Sequence, residues 1–193
     1  DNSPDGTADT ARTIGRSDPR VRVVQRIGRR GLSSATIEGM CATAAPFVAL
    51  AAPLLLYGGA LVSQFGFGLH PCEMCYWQRW PHWAALVLGG IAVLSVRRVQ
   101  GLGVAMAALA AIAIAASGLI GGFHAGVEYG WWEGMTACSA PGAGVDVMDF
   151  NAAPLIRCDV APWTLWGISL AGFNFLISSV SGAAIVALAA YRK

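Results

Sequence analysis

The run His70-Pro71-Cys72-Glu73-Met74-Cys75-Tyr76-Trp77-Gln78-Arg79 sets two cysteines two residues apart. A spacer that short closes almost no loop, so a disulfide across it stabilises the chain little. It does hold two sulfurs within exchange distance on one helical turn, which is what redox chemistry needs. Pro71 suits the first turn of a helix, so the run predicts a helix start with unpaired backbone N–H groups facing the thiols. Helix N-termini and nearby cations lower a cysteine pKa, and Arg79, four residues after Cys75, shares its face one turn deeper. A guanidinium at a membrane edge is costly unless it meets an anion or a polar ligand, which makes Arg79 a functional candidate. The plainer reading is an arginine snorkelling to headgroups.

Three more of the five cysteines complete the set. Cys138 and Cys158 would close a loop of about twenty residues, and stapling it is a structural task worth about 3 kcal/mol in the chain-entropy model. Cys41 stands apart near the first apolar run. His124 precedes Glu128 by four residues, so the two can share a helical face. Both are weaker site candidates, with Gln78 behind them; simple hydration at an interface is the competing reading. His70 and His82 are expected at the interface.

These residues need elements to position them, and composition says which. The chain of 193 residues is 55% hydrophobic and 12% charged, where soluble domains carry about 25% charged residues. The apolar residues gather into runs near the roughly 20 residues that cross a bilayer as a helix. Four spans are expected, at about 43–64, 77–96, 102–123 and 164–190, giving an all-α, four-transmembrane-helix bundle. Pro46 and Pro53 are candidate kink points in the first span. That span is too long, and begins too late, for a cleaved signal peptide.

Seven arginines (Arg12, Arg16, Arg20, Arg22, Arg26, Arg29, Arg30) lie before the first span, Arg97 and Arg98 join spans two and three, and Arg192 and Lys193 end the chain. Only Arg79 and Arg157 of the thirteen basic residues fall on the other side. The positive-inside rule therefore puts both termini in the cytoplasm. Residues 1–40 read as a basic cytoplasmic tail, largely disordered, and 41–193 as the membrane domain. Interspersed acids (Asp1, Asp5, Asp9, Asp18) argue against a nucleic-acid arm or a transit segment. A long outer loop, 124–163, joins spans three and four, and within it Val145–Ile156 is a candidate for lying along the membrane surface, with Pro154 limiting any helix. All seven tryptophans (Trp77, Trp80, Trp83, Trp131, Trp132, Trp163, Trp166) fall at or beyond the outer ends of spans two to four, as an interfacial belt. With an oxidising exterior, the four outer thiols read as two disulfides and Cys41 as a free thiol.

The Pro-Cys-x-x-Cys-x-x-Gln-Arg run, followed by a second cysteine pair in one outer loop, resembles the disulfide bond formation protein B (DsbB) family over about residues 43–190. Further matching stretches are Phe123-His124-Ala125-Gly126-Val127-Glu128, Pro162-Trp163, Gly167-Ile168-Ser169 and Asn174. The resemblance implies a bacterial inner-membrane thiol:quinone oxidoreductase, multi-pass, with its active site on the periplasmic side. A soluble thioredoxin-fold partner resembling DsbA would attack the Cys138–Cys158 disulfide, with Cys138 the site of the mixed disulfide. Electrons would pass to Cys72 and Cys75, and then to ubiquinone or menaquinone. Cys75 would contact the quinone as a thiolate and Arg79 would hold the ring, with His124, Gln78 and Glu128 as further quinone-site candidates. Membrane lipid is the other expected partner, and nucleic acid is not one.

Two rival readings differ in kind. A vitamin K epoxide reductase-like enzyme is another quinone-using four-helix bundle, but there the redox motif and the loop cysteines come in a different order along the chain. A membrane scaffold or transporter could instead bind zinc through Cys72, Cys75 and a histidine, although the sequence offers no second close ligand pair.

Overall fold

The computed structural model describes residues 5–18, 20–21, 23, 32–95, 100–136 and 156–190. Five helices run in the order α1 (Thr7–Ser17), α2 (Leu32–Gly66), α3 (Glu73–Ser95), α4 (Gln100–Glu128) and α5 (Leu170–Ala190). A two-residue hairpin, β1 (Thr164–Leu165) and β2 (Ile168–Ser169), precedes α5. The chain is an all-α membrane protein apart from that hairpin.

α2 to α5 pack side by side, with α4 lying along both α3 and α5, and α2 against α3 and α5. Their shared core is built of small residues, among them Ala45, Ala49, Ala85, Ala92, Ala107 and Ala110, with Ile114 and Ile185. The large apolar side chains point outward: Leu55, Leu94, Ile112, Leu119 and Val180 are all exposed. Small inside and large outside is the arrangement of helices that pack closely in lipid, where apolar side chains gain nothing by hiding from the surroundings. Among the described residues, three helical stretches are long and apolar enough to cross a membrane: Ala44–Gly66, Gly101–Glu128 and Leu170–Ala190. α3, where the second span is expected, is not among them. Its first ten residues carry Glu73, Gln78, Arg79 and His82.

α2 continues through both prolines, whose side chains are fully buried. Pro53 has no N–H to offer the Ala49 carbonyl one turn back. α3 covers that carbonyl at Gly89, where a Cβ would stand 2.7 Å from the Ala49 oxygen. The glycine thus lets the two backbones meet where the proline has freed an acceptor.

Several boundaries differ from the expected ones. The tail is not wholly without structure: α1 forms within it, with no buried residue. Its acids pair with its arginines, Asp9 with Arg12 at 2.5 Å and Asp18 with Arg20 at 2.7 Å. α2 begins at Leu32, ahead of the expected domain boundary at residue 41. The helix of the third expected span, α4, runs on to Glu128, so His124 lies on it and not in the loop. α4 ends in a Schellman motif: Gly130 takes φ 70, Trp131 N–H reaches the Gly126 carbonyl and Gly130 N–H the Val127 carbonyl. The last helix starts at Leu170, because 164–169 turn sharply through Trp166 and Gly167, both at positive φ as a type I′ turn requires. Tyr129 binds this hairpin to the end of α4. Its hydroxyl donates to the Gly167 carbonyl at 3.0 Å and accepts from Ser169 N–H at 3.1 Å.

Cys138, the basic pairs Arg97–Arg98 and Arg192–Lys193, and the segment 145–155 lie outside the described residues, as does the Cys41 side chain. All seven tryptophans are exposed.

Candidate redox site

Cys72 is the residue before α3, and Pro71 stands just outside the helix instead of in its first turn. The Cys72 sulfur accepts the Cys75 backbone N–H at 3.4 Å, in the manner of an N-cap side chain. This puts the two sulfurs 3.3 Å apart at the positive end of α3, well beyond the roughly 2.05 Å of a bond. The pair is a dithiol, and both cysteines precede the expected span. Sharing one proton separates their acidities. Cys72, which donates to Cys75, is pushed up to about 12, and Cys75, which receives that hydrogen, is lowered. Of the two, Cys75 is the thiol that ionises first.

The two sulfurs face different surroundings. Cys72 is buried in a cluster with Met74, Val127 and Cys158. Cys158 is itself fully buried, a free thiol whose sulfur accepts the Thr136 hydroxyl at 3.3 Å. Cys75 instead lines a cavity of about 310 Å³ between α2, α3 and α5, together with Gln78, Arg79, His82 and Asn174 and apolar residues such as Leu55, Phe173 and Ile177. Arg79 donates to Gln64 Oε1 at 2.7 Å and to the Ala60 carbonyl at 3.4 Å, and lies 5.2 Å from the Tyr76 ring centre. The guanidinium meets polar ligands on α2, and among the described residues no carboxylate stands within ion-pair distance of it.

Behind the cysteines runs a chain of buried hydrogen bonds. Asn174 Nδ2 donates to Gln78 Oε1 at 2.8 Å, and Gln78 Nε2 lies 2.8 Å from His124 Nδ1. His124 Nε2 in turn lies 3.5 Å from the Cys72 sulfur and 3.2 Å from the Cys158 carbonyl. Gln78 Nε2 also donates to the Met74 carbonyl at 3.2 Å, which fixes the direction of this amide because a carbonyl only accepts. His124 Nδ1 is therefore an acceptor, and its Nε2 carries the hydrogen, which faces both the Cys158 carbonyl and the Cys72 sulfur. Gly121 makes the chain possible: a Cβ there would stand 2.9 Å from Asn174 Nδ2 and 3.1 Å from Gln78 Oε1.

Cys72, Cys75 and His124 offer ligand atoms within 4.8 Å of one another, close enough to hold a metal ion. Binding one would need the His124 Nε2 lone pair and so a hydrogen on Nδ1. That hydrogen would face the N–H of Gln78, whose direction Met74 and Asn174 both hold. The hydrogen bonding of this pocket opposes metal ligation.

The family model of disulfide bond formation protein DsbB matches residues 42–188. The chain belongs to the DsbB family. No curated protein and no solved structure matches it. DsbB membership makes the chain a membrane oxidoreductase of disulfide bond formation, in a family of inner-membrane proteins.

Within this DsbB chain, Cys72, Cys75, Gln78, Arg79, His124 and Cys158 come together at one end of the bundle. His124 and Glu128 do not line the cavity. His124 stands behind Cys72, and Glu128 Oε1 lies 3.8 Å from it. His82, expected at the interface, is buried at 4% exposure and lines the cavity, as does the exposed His70. Sequence reasoning passed over His82, Ser117 and Ser178, and noted Asn174 only as a matching residue. A signal existed, since polar side chains inside apolar helices are costly and mark function by default.

The unequal thiols predict unequal reactivity. Iodoacetamide is expected to modify Cys75 first, its rate falling tenfold per pH unit below its lowered pKa. Cys72, at about 12, holds roughly one thiolate in ten thousand at pH 8 and should stay unlabelled. Peptide mass spectrometry after brief labelling measures this, and equal labelling of the two across pH 6–9 would contradict it.

Proposed function

We propose that this DsbB-family chain reoxidises a periplasmic thioredoxin-fold dithiol partner, DsbA-like, and passes the electron pair to a quinone, ubiquinone or menaquinone. The observation that carries the reading is the division of the dithiol. Cys72 packs against Cys158, where electrons from the loop would arrive, and Cys75 lines a largely apolar cavity beside Arg79, where an acceptor would take them. A quinone ring fits this wall chemically, with apolar flanks, a thiolate-forming sulfur and a guanidinium for a ring oxygen.

The balance is that of two dithiol–disulfide exchanges and one transfer. The partner's dithiol opens Cys138–Cys158 and leaves as a disulfide; the loop dithiol then opens Cys72–Cys75. The bond between Cys72 and Cys75 would re-form as two electrons and the one shared proton leave the pair. A quinone held in the cavity would take them, with a second proton from water replacing the one lost when Cys75 ionises, and leave as quinol. Cys75 supplies the thiolate that faces the ring, Cys72 the proton held between the sulfurs, and Arg79 a fixed charge that stabilises electron density arriving on a ring oxygen. Direction comes from the acceptor, since about 30 mV in a two-electron couple is worth 1.4 kcal/mol.

The proposed setting is a four-span bundle in a bacterial inner membrane, the second span lying within α3 after the two cysteines. Gln78, Arg79 and His82, near the start of that helix, line the cavity. Both termini face the cytoplasm by the distribution of Lys and Arg. Glu128 has its place near His124 and not at the ring. The test is optical: purified protein in detergent, without oxygen, with a reduced DsbA-like donor and each quinone class. One quinone consumed per donor dithiol is expected. Donor oxidation without quinone loss, or no reaction with either quinone, refutes the reading.

A further inference from the structure

His82 is one of the residues lining the cavity, and one of its ring nitrogens is buried and without a partner. His82 Nδ1 has no hydrogen bond, whereas His82 Nε2 lies 2.9 Å from Asn174 Oδ1. The amide decides which nitrogen carries the hydrogen. Asn174 Nδ2 donates to the Ser117 backbone carbonyl at 3.1 Å as well as to Gln78 Oε1, so the side chain cannot be turned end for end. Asn174 Oδ1 is thus an acceptor, and it already takes the Ser178 hydroxyl at 3.0 Å. His82 Nε2 must donate to it. In the neutral ring Nδ1 is left as a lone pair, which accepts and cannot give.

A buried acceptor discriminates between the two forms of a quinone. The oxidised ring offers carbonyl oxygens, which only accept, and two acceptors facing each other leave both unsatisfied. The reduced ring offers hydroxyls, which donate. We propose that His82 is a specificity-determining residue of this cavity: its Nδ1 accepts a hydrogen bond from a hydroxyl of the reduced ring, so quinol is held more tightly than quinone. The inference rests on the quinone reading above and adds which redox state the cavity prefers. Its consequence is thermodynamic. Each tenfold preference for the reduced form raises the bound couple by about 30 mV and draws electrons from Cys72 and Cys75.

The experiment compares the two ring forms by calorimetric titration, using a short-chain ubiquinone and its quinol under nitrogen. The full chain is kept oxidised in detergent so that no electrons are available to the ring. Wild type is expected to bind quinol more tightly than quinone. His82→Phe should weaken quinol binding about tenfold while moving quinone binding by no more than about twofold. A purely structural role would shift both forms by one factor, and that result, or no shift in either, overturns the inference while leaving the quinone reading intact. Binding of neither form by wild type overturns both. If His82→Phe does not fold, nitrogen NMR of histidine-labelled wild type decides: an unprotonated Nδ1 that shifts with quinol and not with quinone is expected, and a protonated Nδ1 in the free protein overturns the inference.

Discussion

Cys75→Ser is expected to abolish quinone reduction, a fall of at least about a thousand-fold, with the bundle intact. A serine oxygen cannot close a disulfide with Cys72, and its hydroxyl does not ionise near neutral pH, so the cavity loses its only thiol among the described lining residues. Packing should survive, because Cys75 is half-buried on the cavity wall and the helix cap it completes uses its backbone N–H, not its sulfur. Following quinone absorbance in single turnovers separates the two effects. Residual quinone reduction above one part in a thousand would move the electron exit away from Cys75.

Arg79→Ala should raise the KM for quinone by about 10–100-fold, the range set by one charge-assisted hydrogen bond of about 1.5–3 kcal/mol. Two of its nitrogens are already directed to Gln64 and Ala60 on α2. Those bonds hold the guanidinium flat against the cavity wall, leaving further N–H groups for a ring oxygen. Arg79→Lys is expected to recover part of the loss, since it restores the charge without the planar fork. In the proposed relay, exchange between the partner's dithiol and the loop cysteines does not use Arg79 and should keep its rate. Steady-state titration with quinone checks this, and an unchanged quinone dependence in Arg79→Ala removes the residue from the site.

The closeness of Cys72 and Cys75 was readable from the chain because its geometry is local. Two cysteines three positions apart at a helix start must lie near each other whatever the rest of the molecule does, and Arg79 must follow on the same face. Membrane character was readable for a similar reason, since hydropathy sums along a segment without reference to partners. Boundaries were less so. Thr164–Ser169 is apolar enough to read as helix, but Trp166 and Gly167 take positive φ and fold it into a hairpin held by Tyr129, forty residues away at the Ser169 contact. α1 was missed because its segment is polar on average and buries nothing, so hydropathy passes over the small apolar stripe of Ala8, Ala11 and Ile14.

His82 shows what local pattern could not supply. On the chain it is one more histidine near a run of tryptophans, and its nearest meaningful neighbour, Asn174, is 92 residues away. Gln78 and Asn174 are 96 residues apart, and they meet because Gly121 leaves room for both amides where α4 passes between them. The register of three helices decides that meeting, and register depends on which small residues allow close approach, at positions that no periodicity marks.

By itself the sequence determined which groups are brought together and the medium around them: two cysteines on one turn, a fixed cation beside them, and helices that need lipid. Only the tertiary structure decided that Cys72 and Cys75 face different compartments of the site, that His124 backs the sulfur instead of lining the cavity, and that an acceptor atom waits at His82. The division has one physical reason. Spacing along a helix and transfer to lipid are properties of a segment, whereas the direction of a buried hydrogen bond is settled only when every group around it has been placed.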